Sequence, residues 1–281
     1  MRFFTCFVGF FLSTVLLAQP TKTTFMPDNN LYLQDGLFDN GMTEQDFNNI
    51  IDGVTKYYAP IVEKFGATLI VNHLWTNKTV NAQAYQEGNN WYVNMYGGLA
   101  RRSEITFDGF AMVLCHEIGH HLGGFPANDW AAYEGQADYF AMHSCAKTIW
   151  GVTEKEDGEE SVIEDVNSEA KSLCDKYAKN DKQLCYREIN AGLSLATLLG
   201  TLGGTPNVSI STPDKSVVKH TDSAHPKAQC RLDTYVAGTL CEIKWDNRVI
   251  PQTESESNLY LCSNKDYTIQ ARPKCWFHPS I

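Results

Sequence analysis

The chain has 281 residues, 43% of them hydrophobic, enough for a sizeable core built as one large domain or as one domain with an appendage. It carries 33 acidic against 23 basic residues, a formal net charge of −10. Binding a phosphate backbone takes clustered Lys and Arg, so this balance excludes a nucleic-acid partner. The acidic excess serves solubility and says little about fold.

The first eighteen residues, Met1 to Ala18, combine one positive charge at Arg2, an apolar run and a small final residue. They read as a secretory signal cleaved after Ala18, and the run is short for a membrane span. Export also fits the cysteines. Eight remain beyond Cys6, an even set that suggests disulfides in an oxidising compartment, the periplasm or outside the cell. Residues 19–40 are polar and turn-rich and read as a mobile lead-in. Helical spacing follows over 43–65, with Phe47, Ile50, Ile51, Val54, Tyr58 and Ile61 on one side, a Thr43/Asp46 capping box at the start and Gly66 at the end. Ala67–Trp75 reads as a strand. Ala82–Gln86 and Trp91–Met95 then read as a hairpin around Glu87-Gly-Asn-Asn90.

A long helix is expected from Thr106 or Asp108 to Gly123, and a second from Asn128 or Asp129 to about Trp150, stopped by Gly151. The charge run Thr153–Glu160 reads as a solvated loop. Two further helices are expected over about 163–179 and 182–200, the second a buried core helix too short for a membrane span. Residues 203–216 form a Gly/Pro/Ser/Thr loop, a helix occupies about 225–240, and 241–281 is an irregular, cysteine-containing tail. Among the cysteines, Cys174 and Cys185 flank a turn and can meet, and Cys262 and Cys275 can pair locally. Cys230 and Cys241 fall on one helix roughly 16 Å apart, too far to bridge.

The chemistry concentrates in Val113-Leu-Cys-His-Glu-Ile-Gly-His-His-Leu-Gly-Gly124. His116 and His120 are one helical turn apart and project from one face, where two neutral imidazoles can share a zinc ion. Glu117 lies beside them, placed to take a proton from water that the metal acidifies. A hydrolytic zinc site usually has three protein ligands. Position 126 is Pro, which closes the route to a third histidine on the same segment, and His121 points about 100° away, a polar residue on the helix flank. The third ligand comes from the next helix, where Glu134 and Asp138 again share a face. Glu134 would ligate zinc and Asp138 would accept the free ring N–H of a ligating histidine. A short Gly-Gly-Phe-Pro turn would bring the two helices together.

With these residues the chain resembles the HtpX and CAAX-prenyl-protease family of gluzincin metallopeptidases (metallopeptidase family forty-eight). His116-Glu-Ile-Gly-His120 with Glu134-Gly-Gln-Ala-Asp138 is similar to the family's paired zinc motifs. Asn81-Ala-Gln-Ala84 is similar to its edge strand, Tyr92–Leu99 to the strand and turn ahead of its active helix, and His225-Pro-Lys-Ala-Gln-Cys-Arg231 to a later element. The resemblance spans roughly 43–240 and implies an α+β, zincin-like fold, mostly helical, with a small antiparallel or mixed sheet whose edge strand borders the zinc helix. It implies a zinc endopeptidase domain over 19–240, with His116, His120 and Glu134 as ligands, Glu117 as general base, and Asp138 behind the ligands. It places His225 and Arg231 on the active-site side of a later segment, with a polypeptide substrate added as a strand along residues 82–86. Three roles stay open for His225: stabilising the oxyanion, capping the zinc in a resting state, or simply preceding Pro226 at a helix start. Cys115 and Cys145 sit on the two zinc helices and are either a bridge stapling the site or core thiols.

The chain departs from the membrane-embedded relatives in having no transmembrane segment after the signal, so it is similar to the soluble, exported members. Two other readings compete with an active peptidase: a chaperone-like binder of unfolded proteins with a structural zinc, and a peptidase closed by its own His225.

Overall fold

The computed structural model describes residues 21–33, 40–151, 166–178, 181–263 and 269–280. The expected signal over 1–18 and the charge run Thr153–Glu160 lie outside the described residues. The fold is mixed α/β, 45% helical, with a small mixed sheet.

Helix α1 spans Glu44–Glu63. The Thr43 side chain accepts from Asp46 N and the Asp46 carboxylate accepts from Thr43 N, so the capping box satisfies two orphan donors at its start. Its apolar stripe, Phe47, Ile51, Val54 and Tyr58, is buried, and Gly66 just beyond it adopts φ +76°, a conformation that favours glycine. Strand β2 follows at Thr68–Leu74, then β3 at Ala82–Glu87 and β4 at Asn90–Tyr96, joined by a tight turn through Gly88. The expected hairpin is present, and β4 also pairs in parallel with β2.

The described part of the lead-in, residues 21–33, is packed against the sheet and the core. Lys22–Thr24 forms a strand, β1, antiparallel to β3, which gives the sheet order β1-β3-β4-β2. Phe25, Met26 and Leu33 join the main core. The stretch 82–86 is therefore an interior strand, its outer edge covered by the chain's own N-terminal segment. The polar composition of 19–40 hid this, because three residues are too few to display alternation and the partner strand lies 61 residues away, as in the Thr23–Ala84 contact.

After a single turn, α2 (Gly97–Ala100), comes α3, Phe107–Leu122, the centre of the molecule. Its N-cap is Thr106, whose hydroxyl accepts from Gly109 N, and every residue from Gly109 to Leu122 is buried. A helix apolar on all sides needs neighbours on all sides. Here they are α1, β3 and β4, the next helix, and a long later one.

The helix that carries Glu134 and Asp138 starts later than expected. Ala127–Asn128 (β5) and Ala131–Ala132 (β6) pair as a miniature hairpin turning at Asp129, which has φ +49°. Helix α4 then begins at Glu134, not at 128 or 129, and runs to Phe140. It continues through a π-helical stretch, Ala141–Ala146. Helices α5 (Ser168–Tyr177) and α6 (Lys182–Leu202) form the predicted pair, bridged by Cys174–Cys185. Helix α7, Ala228–Leu240, packs on α4, the π-helical stretch and α6.

The described residues of 241–281 are irregular apart from a one-turn helix, α8, at Glu254–Ser257, but several of them are packed into cores. Leu261 and Cys262 enter the main core, while Trp276 and Phe277 form a small cluster with Cys230 and Cys275. The expected local pairing of Cys262 with Cys275 does not occur. Cys241 bridges to Cys262 and Cys230 to Cys275, so both bonds tie the ends of α7 to the tail. Among the described residues no helix is long and apolar enough to cross a membrane.

Candidate metal centre

Two helices build the centre. His116 and His120 come from the buried face of α3, and Glu134 opens α4. The helices approach closely because α3 carries Gly119 at the crossing. A Cβ there would stand 2.9 Å from Ala137 O, so any larger residue would push α4 and its carboxylates away. The Cys115–Cys145 disulfide fastens α3, one residue from His116, to the π-helical continuation of α4.

The donor atoms converge. His116 Nε2 lies 3.3 Å from Glu134 Oε2, and His120 Nε2 lies 3.6 Å from Glu134 Oε1. Donors held about 2.0–2.1 Å from one tetrahedral ion stand roughly 3.4 Å apart, so these separations suit a shared metal. His116 Nε2, His120 Nε2 and Glu134 Oε2 are also buried without a hydrogen-bond partner, and so are both oxygens of Glu117. Unpaired buried polar atoms are costly, and four residues' worth at one point marks a place built for something else. The three donor residues could hold a metal ion.

Each imidazole is oriented from behind. His116 Nδ1 donates to Asp138 Oδ1 at 2.8 Å, and His120 Nδ1 donates to Ala132 O at 2.8 Å. In the neutral rings those bonds place the proton on Nδ1 and turn the Nε2 lone pairs toward Glu134. Arg231 completes the support. Its Nε and Nη2 grip the two oxygens of Asp138 at 2.7 and 2.6 Å, in a pair with almost no solvent exposure.

The electrostatics separate these groups. Burial pulls both imidazoles down. It prevails at His120, held at about 4, whereas Asp138 and Glu134 push His116 up to about 9. Burial pushes the Glu117 carboxyl up to about 8, with the nearby His116 opposing it. Burial also acts on Asp138, but Arg231 and His116 overcome it and hold the carboxylate well below its usual range.

His225 reaches the centre from the segment ahead of α7. Its Nε2 lies 3.4 Å from Glu134 Oε2 and 2.6 Å from Thr24 O. The structure thus brings together His116, Glu117, His120, Glu134, Asp138, His225 and Arg231. His121 is left out of the cluster, but it is not the flank residue expected from sequence. It is buried, stacked between Trp91 and Trp130 with ring centroids 5.2 and 4.9 Å away. Sequence reasoning missed the carbonyl of Ala132, because the miniature hairpin that presents it was read as helix. It also missed Phe25, whose ring stands edge-on to His116 at 5.3 Å.

A second group with metal-like spacing, Asp214, Cys230 and Cys275, is disqualified by its chemistry, since its two sulfurs are bonded to each other and offer no thiolate. The chain matches no family model, no curated protein and no solved structure with which it was compared.

Proposed function

We propose that the protein is a zinc-dependent endopeptidase of exported polypeptides, with His116, His120 and Glu134 holding the ion. Two imidazoles and one carboxylate, three protein donors that leave a fourth tetrahedral position, are a set suited to hydrolytic zinc. When bound, the ion would supply Lewis acidity toward a carbonyl and lower the pKa of water. The observation that carries the reading is Glu117, a fully buried carboxylate with both oxygens unpaired, one residue from a ligand. A buried carboxylate at this position can take a proton from water and return it to a leaving amine. Asp138 fixes the tautomer of His116, and Arg231 fixes Asp138. His225 presents Nε2 toward the centre, where it can donate to a substrate carbonyl.

Four disulfides are consistent with an exported, soluble protein. The test pairs metal content with cleavage of an extended peptide library. Glu117→Gln should keep one zinc per chain and lose between about a hundredfold and ten-thousandfold in rate. Undiminished cleavage by that variant sinks the assignment.

A further inference from the structure

The N-terminal segment does more than cover an edge of the sheet. Lys22, Thr23 and Thr24 pair antiparallel with Tyr85, Ala84 and Gln83, and Phe25 N continues the ladder to Ala82 O at 3.1 Å. Asn81 brackets the next residue, its Oδ1 accepting from Met26 N at 3.2 Å and its Nδ2 donating to Met26 O at 3.1 Å. Between these anchors the backbone crosses the candidate metal centre. Thr24 O meets His225 Nε2 at 2.6 Å, and Phe25 O accepts from Arg231 Nη1. The same His225 nitrogen is 3.4 Å from the ligand carboxylate of Glu134, so the Thr24 carbonyl sits at the mouth of the donor cluster. The Phe25 side chain is fully buried between the His116 ring and the Arg231 guanidinium, 5.3 and 4.5 Å from its own ring.

An ordinary edge strand needs only its ladder. This one also hands its carbonyls to His225 and Arg231 and its amide bonds to Asn81, which is how a catalytic cleft would grip an extended peptide. We propose that Lys22–Met26 is a tethered occupant of the substrate cleft, and that polypeptides bind in its place, extended along β3, with a bulky apolar side chain in the Phe25 position. The inference rests on the peptidase reading for cleavage of a bound chain, but not for binding itself. Recognition is mostly through the main chain and therefore tolerant of sequence; the one enclosed side chain is the specificity element. The tether is fixed on its downstream side, where Asn29 Nδ2 donates to Val80 O at 3.2 Å and Leu33 N donates to Lys78 O at 2.9 Å. Lys22 at the other end is exposed, so displacement begins there and proceeds inward.

The test loosens the strand without touching the core. Phe25 N points at β3, so Thr23 N, two residues back, does too, and proline at 23 removes that donor. The probe is a fluorescein-labelled Thr-Lys-Thr-Thr-Phe-Met peptide, its binding followed by anisotropy on full-length, metal-free Glu117→Gln protein. Adding Thr23→Pro should tighten binding about tenfold, the loss of one strand contact in the competitor. Phe25→Ala, which empties the enclosed position, should tighten it as well. A probe with Gly in place of Phe should bind at least about tenfold more weakly. Equal affinity of the tethered and loosened proteins overturns the proposal, and equal affinity of the two probes overturns the assignment of the Phe25 pocket. Zinc-loaded Thr23→Pro with native Glu117 then separates the two claims. Tighter binding with no cleavage supports the tether and rejects the peptidase. Cleavage in a protein whose peptide affinity ignores Thr23→Pro supports the peptidase and rejects the tether.

Discussion

Glu117 and Asp138 face each other across one centre, both fully buried, and the fold treats them in opposite ways. Asp138 is held by His116 and by two nitrogens of Arg231. Glu117 makes no hydrogen bond through either oxygen. At the rear of the centre the buried charges are matched, and at the front Glu117 is left unpaired. Buried polar atoms that are paired hold a shape, whereas those left unpaired are available for chemistry.

That contrast can be broken from behind. Arg231→Leu leaves the Asp138 carboxylate buried and facing only His116, and should cost about 3–5 kcal/mol in thermal or denaturant unfolding. If the loss is under about 1 kcal/mol, the rear is not the support described. Asp138→Asn keeps the shape but weakens the acceptor behind His116. Zinc affinity, measured against a competing chelator, should fall about ten- to hundredfold. The front answers differently. Glu117→Gln replaces an unpaired buried acid by a neutral amide, so its stability should stay within about 0.5 kcal/mol of the parent or rise, even as activity is lost. A large destabilisation would mean that Glu117 carries structure after all.

A pH dependence is expected away from the candidate centre. His143, on the π-helical stretch, donates Nε2–H to Tyr260 O at 2.8 Å, and burial, reinforced by Lys147, lowers its pKa to about 3. An unfolded histidine titrates near about 6.5, so the unfolded chain binds the extra proton first. The stability owed to neutral His143 is complete above pH about 6.5 and drains as pH falls toward about 3, by at most about 1.4 kcal/mol per pH unit. His143→Leu should flatten the decline of stability between pH 6 and 4 in chelator-treated protein, by about one proton's slope. An unchanged slope would locate the acid sensitivity elsewhere.

Local signals in the sequence were reliable. The Thr43/Asp46 box, the spacing of His116 and His120, the Glu134/Asp138 pair and the Cys174–Cys185 bond are all decided within a dozen residues, and all take the expected form. What was illegible depends on distant partners. Lys22–Thr24 is too short to show periodicity and becomes a strand because β3 offers an edge. Cys230 finds Cys275 across 45 residues, against the nearer Cys262, because the tail folds back beneath α7. The miniature hairpin at 127–132 turns on Asp129 in a left-handed conformation, and an Asn-Asp pair before an apolar run reads equally well as a helix start.

The Cys115–Cys145 bond gives the molecule a clock as well as a clamp. It joins α3 to the π-helical continuation of α4 across 30 residues, a closure that in the chain-entropy view stabilises the fold by about 3–4 kcal/mol. In a reducing cytosol that bond does not form. A newly made chain would carry all seven residues of the centre yet lack the fastening that keeps α3 against α4. Under the proposed export, the fastening would form only on oxidation, after the chain leaves the cytosol.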